Sequence, residues 1–251
     1  MEQQNTTQQF PSEEVTLPSK GLLYSKESPL SKGVITMKYM TAREEDILTN
    51  QNLIENGTVI DKLLQSLIVT SINYNDLLLG DKNAILIAAR ILGYGKDYEF
   101  EYNGKNHKID LTDVEDKSID ESLISNNENK FFFTLPISKK EVTFKLLTHG
   151  DEKAIAAEIK GLKRLNKESS PNVSTRMKHM ITSVDGNSET KTIREFVDNE
   201  LLARDSRALR NYISGVQPDV DLIYKYEDKN GDFVTIPVPI GLNFFWPDTE
   251  L

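Results

Sequence analysis

Thr36-Met37-Lys38-Tyr39-Met40-Thr41-Ala42-Arg43-Glu44-Glu45 and, 107 positions later, Thr143-Phe144-Lys145-Leu146-Leu147-Thr148-His149-Gly150-Asp151-Glu152 decide how the chain reads. In the first stretch Thr41 and Glu44 stand at the spacing of a capping box, in which a hydroxyl and a carboxylate satisfy orphan amides of a helix start reciprocally. The second stretch repeats the arrangement with Thr148 and Asp151, and it repeats Thr36, Lys38 and Glu45 as Thr143, Lys145 and Glu152. Each lies downstream of a Leu-Pro motif, Leu17-Pro18-Ser19-Lys20 in one case and Leu135-Pro136-Ile137-Ser138-Lys139 in the other. The chain therefore reads as an internal duplication.

Working outward, the first capped helix is expected to run from Thr41 to about Asn52. A second follows the Asn56-Gly57-Thr58 turn, with Ile60, Leu63, Leu64, Leu67 and Ile68 at helical spacing. A third begins near Asp81 and stops at Gly93-Tyr94-Gly95. Tyr98-Glu99-Phe100-Glu101-Tyr102 alternates strictly and meets Asn103-Gly104, the strongest short-range signal for a hairpin. At an offset of 124, Leu77-Leu78, Asp81 and Ala84 reappear as Leu201-Leu202, Asp205 and Ala208, and Phe100 and Tyr102 as Tyr224 and Tyr226 of a second hairpin turning at Lys229-Asn230-Gly231. The 17 extra residues are placed between Asn166 and Glu189. The expected architecture is α+β: two related units, each with a strand, capped helices and a terminal β-hairpin. Their bounds are 15–113 and 133–240, with a flexible arm 1–14, a linker 114–132 and an aromatic C-terminal segment 241–251. The linker and the polar stretch Lys167 to Thr175 are expected to be mobile or ordered by a partner.

Composition narrows the function classes. With 38% hydrophobic and 27% charged residues, the 251-residue chain suits a folded core under a well-solvated surface. Its net charge of −9 repels phosphate backbones at long range, so nucleic acid is a disfavoured partner and a basic protein surface the easier match. The absence of cysteine removes disulfides and thiolate chemistry and points to a reducing compartment. The polar start, Met1 to Phe10, is not a signal peptide, and no apolar run approaches a membrane span.

Candidate chemistry is sparse. His107, His149 and His179 lie far apart and read as turn or surface residues, with no metal-ligand spacing. Glu44-Glu45-Asp46 is explained by the dipole of the helix it begins. Asp228-Lys229-Asn230-Gly231-Asp232 places its glycine wrongly for a calcium loop, and no nucleophile elbow or phosphate-binding loop occurs. Lys160, Lys163, Arg164 and Lys167 cluster at one helix end, where cations complement the dipole. The only Trp stands in a Pro-rich terminal run, and Phe244, Phe245, Trp246 and Pro247 are the candidate partner-binding residues. That segment either packs back on its own domain as a cap or anchors a partner. No cofactor, metal or catalytic residue is expected.

Several segments resemble the baseplate hub protein family of T-even-type contractile-tailed bacteriophages. They are Leu17-Pro18-Ser19-Lys20-Gly21 with Tyr24, Met40 through Asn50, Leu77-Leu78-Leu79-Gly80-Asp81-Lys82-Asn83-Ala84 through Arg90 and Gly95, and Phe244-Phe245-Trp246-Pro247. The resemblance implies a structural or assembly protein of the tail baseplate, a baseplate hub subunit or hub assembly protein. Such a protein works by binding other phage baseplate or tail proteins, without turnover and without contact with a membrane. The alternative is a transient tail-assembly chaperone that does not remain in the virion. Expected locations are the host cytoplasm during assembly and the virion tail or baseplate if the chain is retained. Members of the family often carry Cys pairs in the hairpins, suggesting zinc ribbons; this chain has none, so its hairpins must hold by aromatic and aliphatic pairs.

Overall fold

The computed structural model describes residues 11–124, 128–165, 171–227 and 231–245. Strand β1 (Ser12–Thr16) pairs antiparallel with β2 (Val34–Lys38), and the intervening loop turns sharply at Lys20 and Gly21, both at positive φ. Three helices follow: α1 (Ala42–Leu48), α2 (Gln51–Glu55) and α3 (Val59–Leu67). The single helix expected up to Asn52 is thus divided. Asn50 adopts an extended backbone and its side chain accepts a hydrogen bond from the Leu53 amide at 3.2 Å. A short polar side chain here competes with the helical ladder and restarts it. Helix α4 (Leu79–Tyr94) ends at Gly95, whose φ of 84° is a conformation that glycine adopts cheaply and other residues do not.

Strands β3 (Asp97–Tyr102) and β4 (Lys105–Asp110) form the first hairpin, with Asn103 and Gly104 both left-handed at its tip, as a tight primed turn requires. After the two-residue β5 (Asp116–Lys117) come β6 (Phe131–Thr134), β7 (Glu141–Phe144), α5 (His149–Leu165), α6 (Asn172–Met180) and β8 (Ile181–Val184). The chain closes with α7 (Thr190–Asn199), α8 (Ala203–Val216), β9 (Asp219–Val220), the hairpin β10 (Ile223–Glu227) and β11 (Phe233–Pro237), and a 3-10 turn at Leu242–Phe245. The sheets are small and antiparallel, so the architecture is mixed α+β.

Local geometry recurs between the halves. Thr41 donates from its amide and its hydroxyl to Glu44 Oε2 (3.0 and 2.6 Å), and Thr148 does the same to Asp151 Oδ2 (3.0 Å each). Lys38 binds Glu44 at 2.8 Å, and Lys145 binds Asp151 at 2.7 Å. Burial pushes the Glu44 carboxyl up, but donors on Lys38, Thr41 and Ser66 outweigh it and hold the group at about 2. After α3, Ile68 bridges back to Met37 of β2; after α6, Ile181 pairs with Phe144 of β7.

The most buried recurrence is a carboxylate in the first turn of a helix. Asp81, fully buried at the start of α4, accepts from the Ser19 amide (2.9 Å), the Ser19 hydroxyl (2.7 Å) and the Tyr24 hydroxyl (2.5 Å). Tyr24 Oη in turn accepts from the Leu78 amide at 3.0 Å, which closes the network on the helix start. Asp205, at the same position of α8, accepts from the Ile137 and Ser138 amides at 2.8 and 3.0 Å. Each carboxylate clamps a Leu-Pro turn whose leucine, Leu17 or Leu135, is fully excluded from solvent, and whose lysine, Lys20 or Lys139, has positive φ.

Several expected boundaries move. The arm does not extend to residue 14, because Ser12–Glu14 already pair with Lys38–Thr36; residues 1–10 lie outside the described residues. Much of the linker is docked: β5 pairs with β9 and Ile119 is buried, since an apolar side chain in the middle of an acidic run finds the core. The stretch Lys167 to Thr175 is also partly structured, with Asn172 opening α6 and Thr175 fully buried, whereas residues 166–170 are not described. Leu67 and Met180 end α3 and α6 at an offset of 113, and α7 stands between Met180 and Asp205.

Removing a carboxylate that serves several buried donors leaves each unsatisfied, at about 1–3 kcal/mol apiece. Asp81→Ala is therefore expected to lower stability by about 3 kcal/mol or more, and Asp205→Ala by about 2 kcal/mol, in chemical denaturation. An unchanged midpoint for Asp81→Ala would remove the clamp from the account.

Candidate interaction site

The 3-10 turn Leu242–Phe245 brings the candidate C-terminal residues back onto the first half of the chain. Phe244 and Phe245 have no exposed surface. The Phe244 ring meets Tyr98 of β3 edge-on at 4.8 Å, and Phe245 lies perpendicular to Phe244 at 5.4 Å. The approach is guided by backbone contacts: Tyr98 donates its hydroxyl to the Pro239 carbonyl at 3.0 Å, and the Val238 amide donates to the Leu222 carbonyl at 2.8 Å. Of the two readings open for this segment, these two residues occupy the position of a cap, because two large rings gain more from the chain's own core than from water. A role for them in partner binding requires undocking. Trp246 and Pro247 lie outside the described residues.

The same region joins the two hairpins. Phe100 and His107 of the first stack at 5.6 Å, and His107 meets Tyr226 of the second at 4.7 Å and Tyr224 at 5.6 Å. An aromatic cluster between the hairpins therefore accompanies the absence of cysteine.

A second meeting of the halves was not legible in the sequence. Leu78, just before α4, bridges Thr148, just before α5; the Leu79 amide donates to the Leu147 carbonyl and the His149 amide to that of Leu77. Two glycines at these helix starts also lie close to other backbone segments. A β-carbon on Gly80 would stand 1.8 Å from the Pro218 carbonyl oxygen, and one on Gly150 would stand 3.1 Å from that of Asn75. Beside it, Asp61 of α3, Tyr74 and Lys82 of α4 surround His149. Lys82 binds Asp61 at 2.6 Å and lies 3.3 Å from His149 Nδ1; Tyr74 donates to Asp61 at 3.1 Å and packs edge-on to the imidazole at 4.7 Å.

His149 is thus buried, not at the surface as expected, because the joint covers the start of α5. No spacing signalled the cluster, since four separate elements supply it. Burial and the neighbouring Lys82 ammonium, with Lys153 adding to them, push the imidazole below its ordinary 6.5, and Asp61 at 3.6 Å and Glu152 offset this only in part. His179, in contrast, binds Glu158 at 3.0 Å, and Arg194 grips the same carboxylate twice, at 2.7 and 2.8 Å, so that Glu158 is held at about 2. Arg176 and Lys178 are likewise used internally, on Glu152 and Asp198. Glu44 lies at its capping box, away from Asp81 and from the joint.

Among the described residues no group of three or more potential metal ligands occurs, and no helix is long and apolar enough to cross a membrane. Comparison of the chain with protein-family models, with curated proteins and with solved structures finds no match.

Two outcomes follow from this geometry. Phe244→Ala is expected to cost about 3–5 kcal/mol by opening a cavity against Tyr98, read as a lower denaturation midpoint; no change would return the segment to the anchor reading. For His149, a folded pKa below the unfolded value means that the unfolded chain binds the proton first. Its contribution is therefore complete above pH 6.5 and is lost as pH falls below that value. Stability measured across that range is expected to slope downward towards acid and to flatten in His149→Gln; equal slopes would show that the imidazole is not held neutral by the joint.

Proposed function

We propose that the chain is a structural or assembly protein of a bacteriophage contractile-tail baseplate hub, built as two related units and acting through protein–protein binding. The observation that supports it most is where the resembling segments fall. Leu17 to Gly21 with Tyr24, Leu77 to Ala84, and Phe244-Phe245 are far apart in sequence, yet Ser19, Tyr24, Leu78 and Asp81 form one hydrogen-bonded network, and Phe244 and Phe245 pack into the same core. The family-like residues are therefore those that set the shape of the molecule, as expected when a scaffold is what has to be preserved.

The two-unit reading rests on the paired features: two Thr-acid boxes with matching lysines, two clamped Leu-Pro turns, and helices α4 and α8 that begin with the same backbone at Leu78 and Leu202. It extends from residues 15–113 to residues 133–240.

Two measurements test the proposal. In phage encoding this chain, an early stop codon in its reading frame is expected to give particles arrested before the hub is complete, and a mass-spectrometric inventory of wild-type virions is expected to contain the chain. Arrest with no chain in the virion would favour the transient chaperone. Normal infective particles from the stop mutant would contradict both readings.

A further inference from the structure

Helix α5 sorts its charges by face. Three of its acids are consumed internally: Asp151 by Lys145, Glu152 by Arg176, and Glu158 by Arg194 and His179. Its cations Lys160, Lys163 and Arg164 instead line a shallow, open cleft together with exposed Ala156, half-buried Ile159 and, from α6, Asn172. Among the described residues no carboxylate lines this cleft, on a chain whose net charge is −9. Next to Arg164 and Asn172 in sequence, apolar side chains stand in water: Leu165 is 86% exposed and Val173 48% exposed. The helix dipole accounts for cations in the last turn, Lys163 and Arg164. It accounts neither for Lys160, a turn earlier, nor for apolar side chains left open beside them.

We propose that this cleft is the docking site for an acidic amphipathic helix of a partner protein. The proposal rests on the reading of the chain as a surface-binding protein and supplies the chemistry of the partner. Lys160, Lys163 and Arg164 recur at helical spacing, so carboxylates at the same i, i+3, i+4 spacing on an opposed helix meet them in register. Between those carboxylates, Leu, Ile or Phe side chains cover Ala156, Ile159, Leu165 and Val173. Charge complementarity adds speed and selectivity of encounter, and the apolar side chains supply the contact area. A nucleic acid fits less well, because among the described residues no aromatic side chain lines the cleft for a base to stack on, and the chain as a whole is acidic.

The test uses the purified full chain and a displayed library of random peptides long enough for several helical turns. The library is counter-selected against the variant K160E/K163E/R164E. These side chains make no ion pair among the described residues, so the variant is expected to stay folded, with its melting midpoint lowered only by the loss of charges that complement the helix dipole. Enriched peptides are expected to carry Asp or Glu at i, i+3, i+4 beside large apolar residues. The consensus peptide is expected to bind the triple variant about tenfold more weakly or worse, and to lose affinity to Ala156→Gln, which crowds the cleft and leaves every charge in place. No enrichment over the triple variant, or enriched peptides without acidic residues, overturns the proposal. So does tighter binding of a single-stranded oligonucleotide, or of vesicles containing phosphatidylserine, than of any selected peptide. None of these readouts involves a phage particle, so the proposal fails or stands apart from the baseplate reading.

Discussion

Two buried carboxylates, Asp81 and Asp205, carry most of the architecture. Burying a carboxylate is costly unless donors surround it, and each is surrounded by donors from a turn far away in sequence, Ser19 and Tyr24 in one case, Ile137 and Ser138 in the other. The clamp fixes the start of a long helix against the turn that precedes a strand, and that strand runs on to the capping box of the next helix. Burial pushes the Asp81 carboxyl up, and the Tyr24 and Ser19 donors restrain it. Burial acts the same way on Asp205, but there the two amides win and the carboxyl sits below its ordinary value. The first clamp combines a hydroxyl pair with one amide; the second is built mainly on backbone.

The halves meet in ways that they do not repeat. At the joint, Leu78 pairs with Thr148 and Gly150 lies against the Asn75 backbone, while Gly80 lies against that of Pro218. In the proposed duplication, Gly80 corresponds to Arg204 and Gly150 to Arg43, both exposed. A side chain at position 80 would collide with the Pro218 carbonyl. The aromatic cluster of the two hairpins and the Phe244-Phe245 cap tie the halves together at another place, where the contacts are mainly between aromatic rings.

What the sequence made legible is local. Capping boxes at Thr41 and Thr148, the Asn103-Gly104 hairpin and the stop at Gly95 are written in adjacent residues, and the structure places each where the pattern expects it. The break at Asn50 escaped because an asparagine inside an apolar-periodic run reads as a solvent-facing residue, and only its backbone angles show it capping a new helix. Docking of the linker through Ile119 and the depth of His149 escaped for another reason. Both depend on which distant surfaces come together, and no periodicity encodes that. For the terminal segment, composition identified Phe244 and Phe245 as side chains that must be covered; the direction of the chain after Pro239 decided what covers Phe244. The basic end of α5 was visible as a charge cluster, but the open cleft it shares with Asn172 emerged only when α6 was placed beside it.

The central claim is that Asp81 and Asp205 hold equivalent turns in the two halves, and amide hydrogen exchange at the clamped turns tests it most directly. Turn amides without a partner exchange rapidly, whereas those held by a buried acceptor open only with the structure around them. The Ser19, Ile137 and Ser138 amides are predicted to exchange as slowly as the interior amides of α4 and α8. Rapid exchange at all three, with those helices still protected, would contradict the account.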